Sequence, residues 1–221
     1  DYAVTTDQTP DFTWEASIDP NGDPVTYLFY YTTDSTWSGD IHVSQPITGN
    51  SYTIPDVLTG GMWYWWKVKA SDQYLSTFSN QTWRFAVSLP PSVPEPIAPA
   101  NGAHVTENDF LVWLISTDPD AGDYISHYHL QIDDEPGFGS PEIDTAGITL
   151  LDGDPTAVAI KINQLQNYLM LENKLYYWRV SAVDKFGVEG SFSDGSNYFI
   201  YLLDVNVTVF IEGPFLGSEM S

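Results

Sequence analysis

A chain of 221 residues that is 43% hydrophobic and 15% aromatic has ample side chain for packed cores, which excludes intrinsic disorder. Seven basic against 30 acidic residues give a formal charge of −23, which repels polyanions and leaves no basic stripe, so nucleic-acid binding is excluded. There is no cysteine, so disulfides, thiol chemistry and cysteine-bound zinc are excluded as well. Acidity on this scale is easiest to accommodate in a protein bathed in salt or binding divalent cations. No apolar run reaches the length of a membrane-spanning helix. The opening Asp1-Tyr2-Ala3-Val4 is no signal peptide, and a processed or excised piece of a longer protein is expected.

In chain order, a first domain is predicted over 1–88, beginning its regular pattern near Thr9-Pro10. Asp11 to Ala16 alternates as a strand with Phe12, Trp14 and Ala16 on one face. Asp19-Pro20-Asn21-Gly22-Asp23-Pro24 breaks it with residues that favour turns. Val25 to Tyr31 is the next strand, with Tyr27, Phe29 and Tyr31 inward, and Asp34 to Gly39 reads as a loop. After a short strand at Ser51–Ile54, Tyr64 to Asp72 alternates with Tyr64, Trp66, Val68 and Ala70 inward. Gln81 to Val87 closes the domain.

Residues 89–98 carry prolines at a density that favours an extended, semi-rigid linker, part of which is open to service as a first edge strand. A second domain over 99–202 repeats the plan. Phe110 to Leu114 matches the Trp14 strand, Asp118-Pro119-Asp120-Ala121-Gly122-Asp123 matches the acidic turn, and Tyr128, Leu130 and Ile132 match the inward triplet. Phe138 stands where Trp37 stood, and Tyr176 to Asp184 repeats the long strand at a spacing of about 110 residues, the size of one sandwich domain. Asn163 to Asn173 has the composition of a brief helical turn, although the repeat argues against a real helix, and Phe192 to Leu202 reads as the closing strand. Residues 203–221 open a further module or form a terminal strand, with Asp204 to Ile211 alternating cleanly. Such a strand needs a partner for its apolar face, from the preceding domain or by strand-mediated self-assembly with another chain.

The spacing Leu58, Gly61, Tyr64, Trp66, Val68, Ala70 resembles the motif of fibronectin type III domains, in which the tyrosine forms the corner leading into the sixth strand. Trp14 and Trp113 match the family's core tryptophan on the second strand. The segment Pro94 to Gly102, the Asp-Pro-Asp turn and the Tyr-Trp-Arg-Val strand look most like bacterial versions from large secreted and surface-attached proteins. The resemblance covers residues 9–88 and 94–202. It implies an all-β chain of two tandem immunoglobulin-like (fibronectin type III) β-sandwiches. The ending Val207 to Phe215 also looks like a segment near the C-terminus of some bacterial outer-surface proteins.

Two constellations are candidate sites. Asp19, Asn21 and Asp23, and again Asp118, Asp120 and Asp123, place oxygens at close spacing on turns. In this fold the loop after the sixth strand lies at the same end, so Asp72 and Asp184 join them. Calcium takes six to eight oxygens in tolerant geometry, and such turns supply several. The alternative is that Asp and Asn only cap their own turns. The spacing is not that of an EF-hand.

The second constellation is an outward aromatic face of Leu28, Tyr30, Trp63 and Trp65 on neighbouring strands. Its readings are a glycan platform, a contact with another domain or a surface protein, or cover by the stems of Lys67 and Lys69. His127 and His129 lie two apart on one strand face, which reads as an exposed pair or, failing a third ligand, a poor zinc site.

No nucleophile elbow, phosphate loop or zinc-protease motif occurs, and no carboxylate pair is placed across a cleft, so an enzyme is not expected. The expected role is a spacer or adhesion region of a modular extracellular or cell-surface protein, its partners being other domains of the parent. The alternatives are a glycan- or protein-binding module and an accessory region of an extracellular hydrolase.

Overall fold

The computed structural model describes residues 2–149, 156–165 and 173–203. The first half contains β1 (Tyr2–Thr5), β2 (Asp11–Thr13), β3 (Thr26–Thr32), β4 (His42–Val43), β5 (Ser51–Thr53), β6 (Met62–Ser71), β7 (Ser76–Phe78) and β8 (Trp83–Val87). The second contains β9 (Glu95–Ala98), β10 (Ala103–Val105), β11 (Phe110–Leu114), β12 (Ile125–Asp133), β13 (Ile143–Ile148), β14 (Ala157–Lys161), β15 (Lys174–Asp184) and β16 (Asn197–Tyr201).

Each half is a β-sandwich, as the alternating strands predict. In the first, a sheet ordered β1-β8-β6-β3-β4 faces the β2–β5 pair. In the second, β10-β16-β15-β12-β13 faces β14-β11-β9. The alternation read from the sequence sets the register. Tyr27, Phe29 and Tyr31 lie opposite Ala70, Val68 and Trp66. Tyr128, Leu130 and Ile132 lie opposite Ala182, Val180 and Trp178 in the same way. Because the side-chain period is two, this register sends one complete apolar set inward from each strand. Two separate buried clusters result, one around Phe29, Ile54 and Val87, the other around Trp113, Trp178 and Phe199. Tyr64 makes the expected corner: its hydroxyl donates to Thr59 O at 3.0 Å and accepts from Thr59 N–H at 2.9 Å.

Several boundaries differ from the sequence reading. Each large sheet gains a parallel edge strand, β1 on β8 and β10 on β16, so the first sandwich starts at Tyr2 and not near Thr9. Glu95 to Ala98 forms β9 on β11, the first edge strand that part of the proline-rich segment was open to forming. The closing strand of the second sandwich begins at Asn197 and not Phe192, because Asp194 accepts the N–H and hydroxyl of Ser196 and turns the chain there. The closing strand of the first begins at Trp83 and not Gln81, and a short β7 over Ser76–Phe78, absent from the sequence reading, precedes it on β6. Of the stretch Asn163 to Asn173, the described residues begin with a 3₁₀ turn over Ile162–Gln164, and 166–172 lie outside the described residues. The predicted strand from Asp204 to Ile211 lies outside the described residues. Among the described residues no helix is long and apolar enough to cross a membrane.

Candidate metal centre

β8 ends at Val87, and the next residues are bonded directly to the second sandwich. Ser88 Oγ donates to Asp184 Oδ2 at 2.7 Å and reaches Asp123 Oδ2 at 3.4 Å. The Leu89 N–H donates to Asp120 Oδ2 at 2.7 Å. Further on, Ser92 N–H donates to Thr117 O, and Thr117 N–H donates to Ser92 Oγ, both at 2.9 Å. From the other side the turn before β6 closes in. Gly61 holds φ +73° with its N–H on Val87 O, and any side chain on Gly60 would overlap the Asp120 carboxylate. The acidic turn of the second sandwich is therefore built into the contact between the two.

Local hydrogen bonding shapes that turn. Asp118 Oδ1 accepts the Asp120 N–H at 2.8 Å, and Asp120 O accepts the Asp123 N–H at 3.1 Å, an Asx turn closed by Gly122 at φ +81°. One oxygen from each of Asp118, Asp120 and Asp123 lies within 4.8 Å of the others. Asp184 arrives from the end of β15, with Oδ1 held at 2.8 Å by the N–H groups of Phe186 and Val188. Asp120 and Asp184 are buried, and the Asp123 side chain is fully enclosed. Among the described residues the one cation bonded here is Lys185, whose Nζ donates to Gly122 O at 3.0 Å and lies 3.6 Å from Asp123 Oδ2.

Four carboxylates against one ammonium leave a surplus of negative charge in an enclosed place, which is costly without a counter-charge. Asp118 records that cost. Its Oδ2 is buried with no hydrogen-bond partner. Burial, and then the charges of Asp123, Asp120 and Asp184, push its carboxyl above the usual range. A divalent cation ligated by oxygens at about 2.3–2.6 Å would remove the surplus. Asp118, Asp120 and Asp123 bring their oxygens close enough to hold it, and Asp184 is joined to them through Ser88.

The matching turn of the first sandwich is arranged differently. Asp19 Oδ1 accepts the N–H groups of Asn21 at 2.8 Å and Asp23 at 3.2 Å. Asp72 accepts from Leu75 and Tyr74, and these bonds hold its carboxyl below the usual range. Asp19 and Asp72 line one shallow depression, as their loops' shared end requires, but β6 carries Asp72 to the far end from Gly61. Among the described residues, Asp19, Asn21, Asp23 and Asp72 form no group of three mutually close carboxylates.

The outward aromatic residues do not form one patch. Trp63 packs edge-on against Phe186 of the second sandwich at 5.5 Å and against Tyr2 at 5.2 Å, with Arg84 over its ring. Tyr30 packs on Phe78, and Lys67 Nζ lies 3.8 Å from the centre of the Trp37 ring. Leu28 lies opposite Lys69, and Trp65 opposite Thr32 and Arg84. Domain contact and cover thus divide this face. A separate cleft of about 640 Å³ in the first sandwich is lined by Trp14, Trp66, Trp83 and Phe78, with Glu15 its one carboxylate.

His129 is half-buried, not part of an exposed pair. Its Nδ1 lies 2.8 Å from Glu189 Oε1, and its Nε2 is hydrogen-bonded to Asp144 Oδ1. Burial pulls the imidazole pKa down, but the hydrogen bonds and charges of Asp144 and Glu189 outweigh it and raise the value overall. This stabilisation is fully present below the unfolded value of about 6.5 and is lost as pH rises through the higher folded value. Urea unfolding at pH 6 and pH 8.5 is expected to show a decline in stability that His129→Gln flattens.

The sequence reading missed Ser88, Leu89 and Gly60, whose roles depend on the relative placement of the sandwiches. It also missed the partners of His129, which come from β13 and from the loop after β15.

No family model matches the sequence, and no curated protein matches it. Among solved structures, the chicken CNTN1 FN1–FN3 domains are similar at 13% identity and TM-score 0.40, over 87% of this chain and 60% of that one. The Clostridium thermocellum CbhA fibronectin(III)-like modules are similar at 15% identity and TM-score 0.44, over 96% and 94% of the two chains. An α-L-rhamnosidase of Dictyoglumus thermophilum is similar at 18% identity and TM-score 0.37, over 52% of this chain and 12% of that one. The chain thus spans about three fifths of the CNTN1 fragment's length.

Proposed function

We propose that this chain is a non-catalytic spacer and adhesion region of a modular extracellular or cell-surface protein. In this reading, calcium held by Asp118, Asp120, Asp123 and Asp184 fixes one sandwich against the next. The observation that carries it is the buried, unpartnered Asp118 Oδ2 inside a carboxylate cluster that also binds Ser88 and Leu89 of the connecting chain. A cation placed there touches the second sandwich directly and draws the end of the first with it. The single carboxylate in the aromatic cleft and the absence of a catalytic motif in the sequence support a non-catalytic role. Trp63 serves the same junction by packing on Phe186.

The test is the thermal midpoint of the chelator-stripped chain with millimolar calcium, with magnesium and with chelator. A ligand that binds only the folded state adds RT ln(1 + [L]/Kd), roughly 2.7 kcal/mol at a hundredfold excess over Kd. For a domain of this size that is a rise of roughly 10–20 °C. The rise is expected with calcium and not with magnesium, which demands a more regular octahedron. An equal midpoint in calcium and chelator would leave these aspartates as turn caps.

A further inference from the structure

A second acidic cluster lies in the hairpin between β12 and β13, away from the junction. One oxygen each from Asp133, Asp134 and Glu142 lies within 4.8 Å of the others. Asp133, the last residue of β12, is 1% exposed. Its Oδ1 accepts the Glu135 N–H at 2.8 Å, and its Oδ2 is buried with no hydrogen-bond partner. Asp134 Oδ2 pairs with Lys174 Nζ, and Glu142 Oε2 accepts the Asp134 N–H at 2.9 Å.

The first sandwich contains its own control. The hairpin after β3 follows the same path: Trp37 at φ 58° matches Phe138 at φ 50°, each five residues beyond the end of its strand. Thr32 therefore stands where Asp133 stands, and it is equally buried. Thr32 Oγ1 accepts the Asp34 N–H at 3.0 Å, as Asp133 Oδ1 accepts from Glu135. Thr32 then donates its hydroxyl to Asp40 O at 2.7 Å, and every polar atom of its side chain is used. An ionised carboxylate has no proton to donate. Asp133 at this place brings a charge and an oxygen that the hairpin itself does not satisfy, beside two further carboxylates. Only Lys174 among the described residues forms an ion pair with the three, which leaves a net charge of two negatives.

We propose that Asp133, Asp134 and Glu142 form a second divalent-cation site, taking calcium with its remaining ligands from water and loop carbonyls. The hairpin suits that ion. Gly137 and Gly139 let the loop adapt to an irregular shell, and calcium accepts carboxylates in one- or two-oxygen modes. A bound ion would tie the two strands of the hairpin together at the base of its loop, some distance from the contact between the sandwiches.

The test counts calcium ions bound per chain by isothermal titration of the chelator-stripped protein. Glu142→Gln and Asp133→Thr, the latter copying the first sandwich, are each expected to bind one ion fewer than the wild type. Asp133→Thr should also keep its thermal midpoint in chelator at or above the wild-type value, which separates a lost site from a lost fold. Asp118→Asn should remove a different ion and leave this one. Equal counts for wild type and Glu142→Gln would overturn the proposal, as would a wild-type chain whose every bound ion disappears in Asp118→Asn. The first of these results leaves the junction reading standing, so the two sites fail separately.

Discussion

Asp118→Asn is expected to raise the thermal midpoint in chelator and to lower it, relative to wild type, in millimolar calcium. The crossing follows from one oxygen. With no cation present, the folded state holds Asp118 Oδ2 buried and unpartnered among three other carboxylates, and its pKa is raised. A carboxyl whose folded pKa exceeds its unfolded value of about 3.9 opposes folding at neutral pH, and the penalty fades as pH falls through the folded value. Asparagine has the same shape without the charge, so it removes that penalty. If calcium binds as proposed, the same carboxylate is a ligand, and its loss should remove most of the roughly 10–20 °C expected from calcium. A variant that is destabilised by the same amount in both conditions would mean that Asp118 is only a turn cap. The wild type in chelator should also gain stability on mild acidification, and Asp118→Asn should lose the Asp118 share of that gain while keeping the share due to His129.

Trp178→Ala is expected to unfold the second sandwich selectively. Trp178 is fully buried on β15, opposite Ile132 and 6.4 Å from the ring of Trp113. Truncating a buried tryptophan costs about 3–5 kcal/mol, a large share of the 5–15 kcal/mol that holds a typical domain together. The loss of an indole N–H that has no partner offsets a little of this. The first sandwich has its own core around Phe29 and Tyr64, so calorimetry should resolve an early transition for the second sandwich and a later one for the first. Both loops of the junction cluster belong to the second sandwich, so the calcium response should stay with the early transition. One shared transition, lowered as a whole, would mean that the sandwiches fold as a single unit.

Much of this architecture was legible because a half-buried strand alternates. Tyr64, Trp66, Val68 and Ala70 declare an inward face by period alone, and the copy at Tyr176 to Ala182 declares a second domain. Parallel edge strands such as β1 have no such signature, since Tyr2 to Thr5 is mostly exposed and its place depends on β8. The acidic turns were legible as chemistry but not as unequal. Asp19 and Asp118 open similar turns, yet only Asp118 lies where another sandwich's chain end closes over it. That difference comes from Ser88, Leu89 and Gly60, none of which carries a charge or a motif. The pairing of Asp133 with Glu142 was hidden for another reason. The residues are nine apart, and only a hairpin that returns on itself brings them together.

The central claim is that calcium at the junction fixes one sandwich against the other. It is tested most directly by the distance distribution between spin labels on exposed Thr77 and Ser191, one on each sandwich. The chain has no cysteine, so Thr77→Cys and Ser191→Cys can be labelled without background. A narrow distribution is expected in calcium, broadening in chelator and remaining broad in Asp118→Asn under both conditions. Distributions of equal width with and without calcium would contradict it.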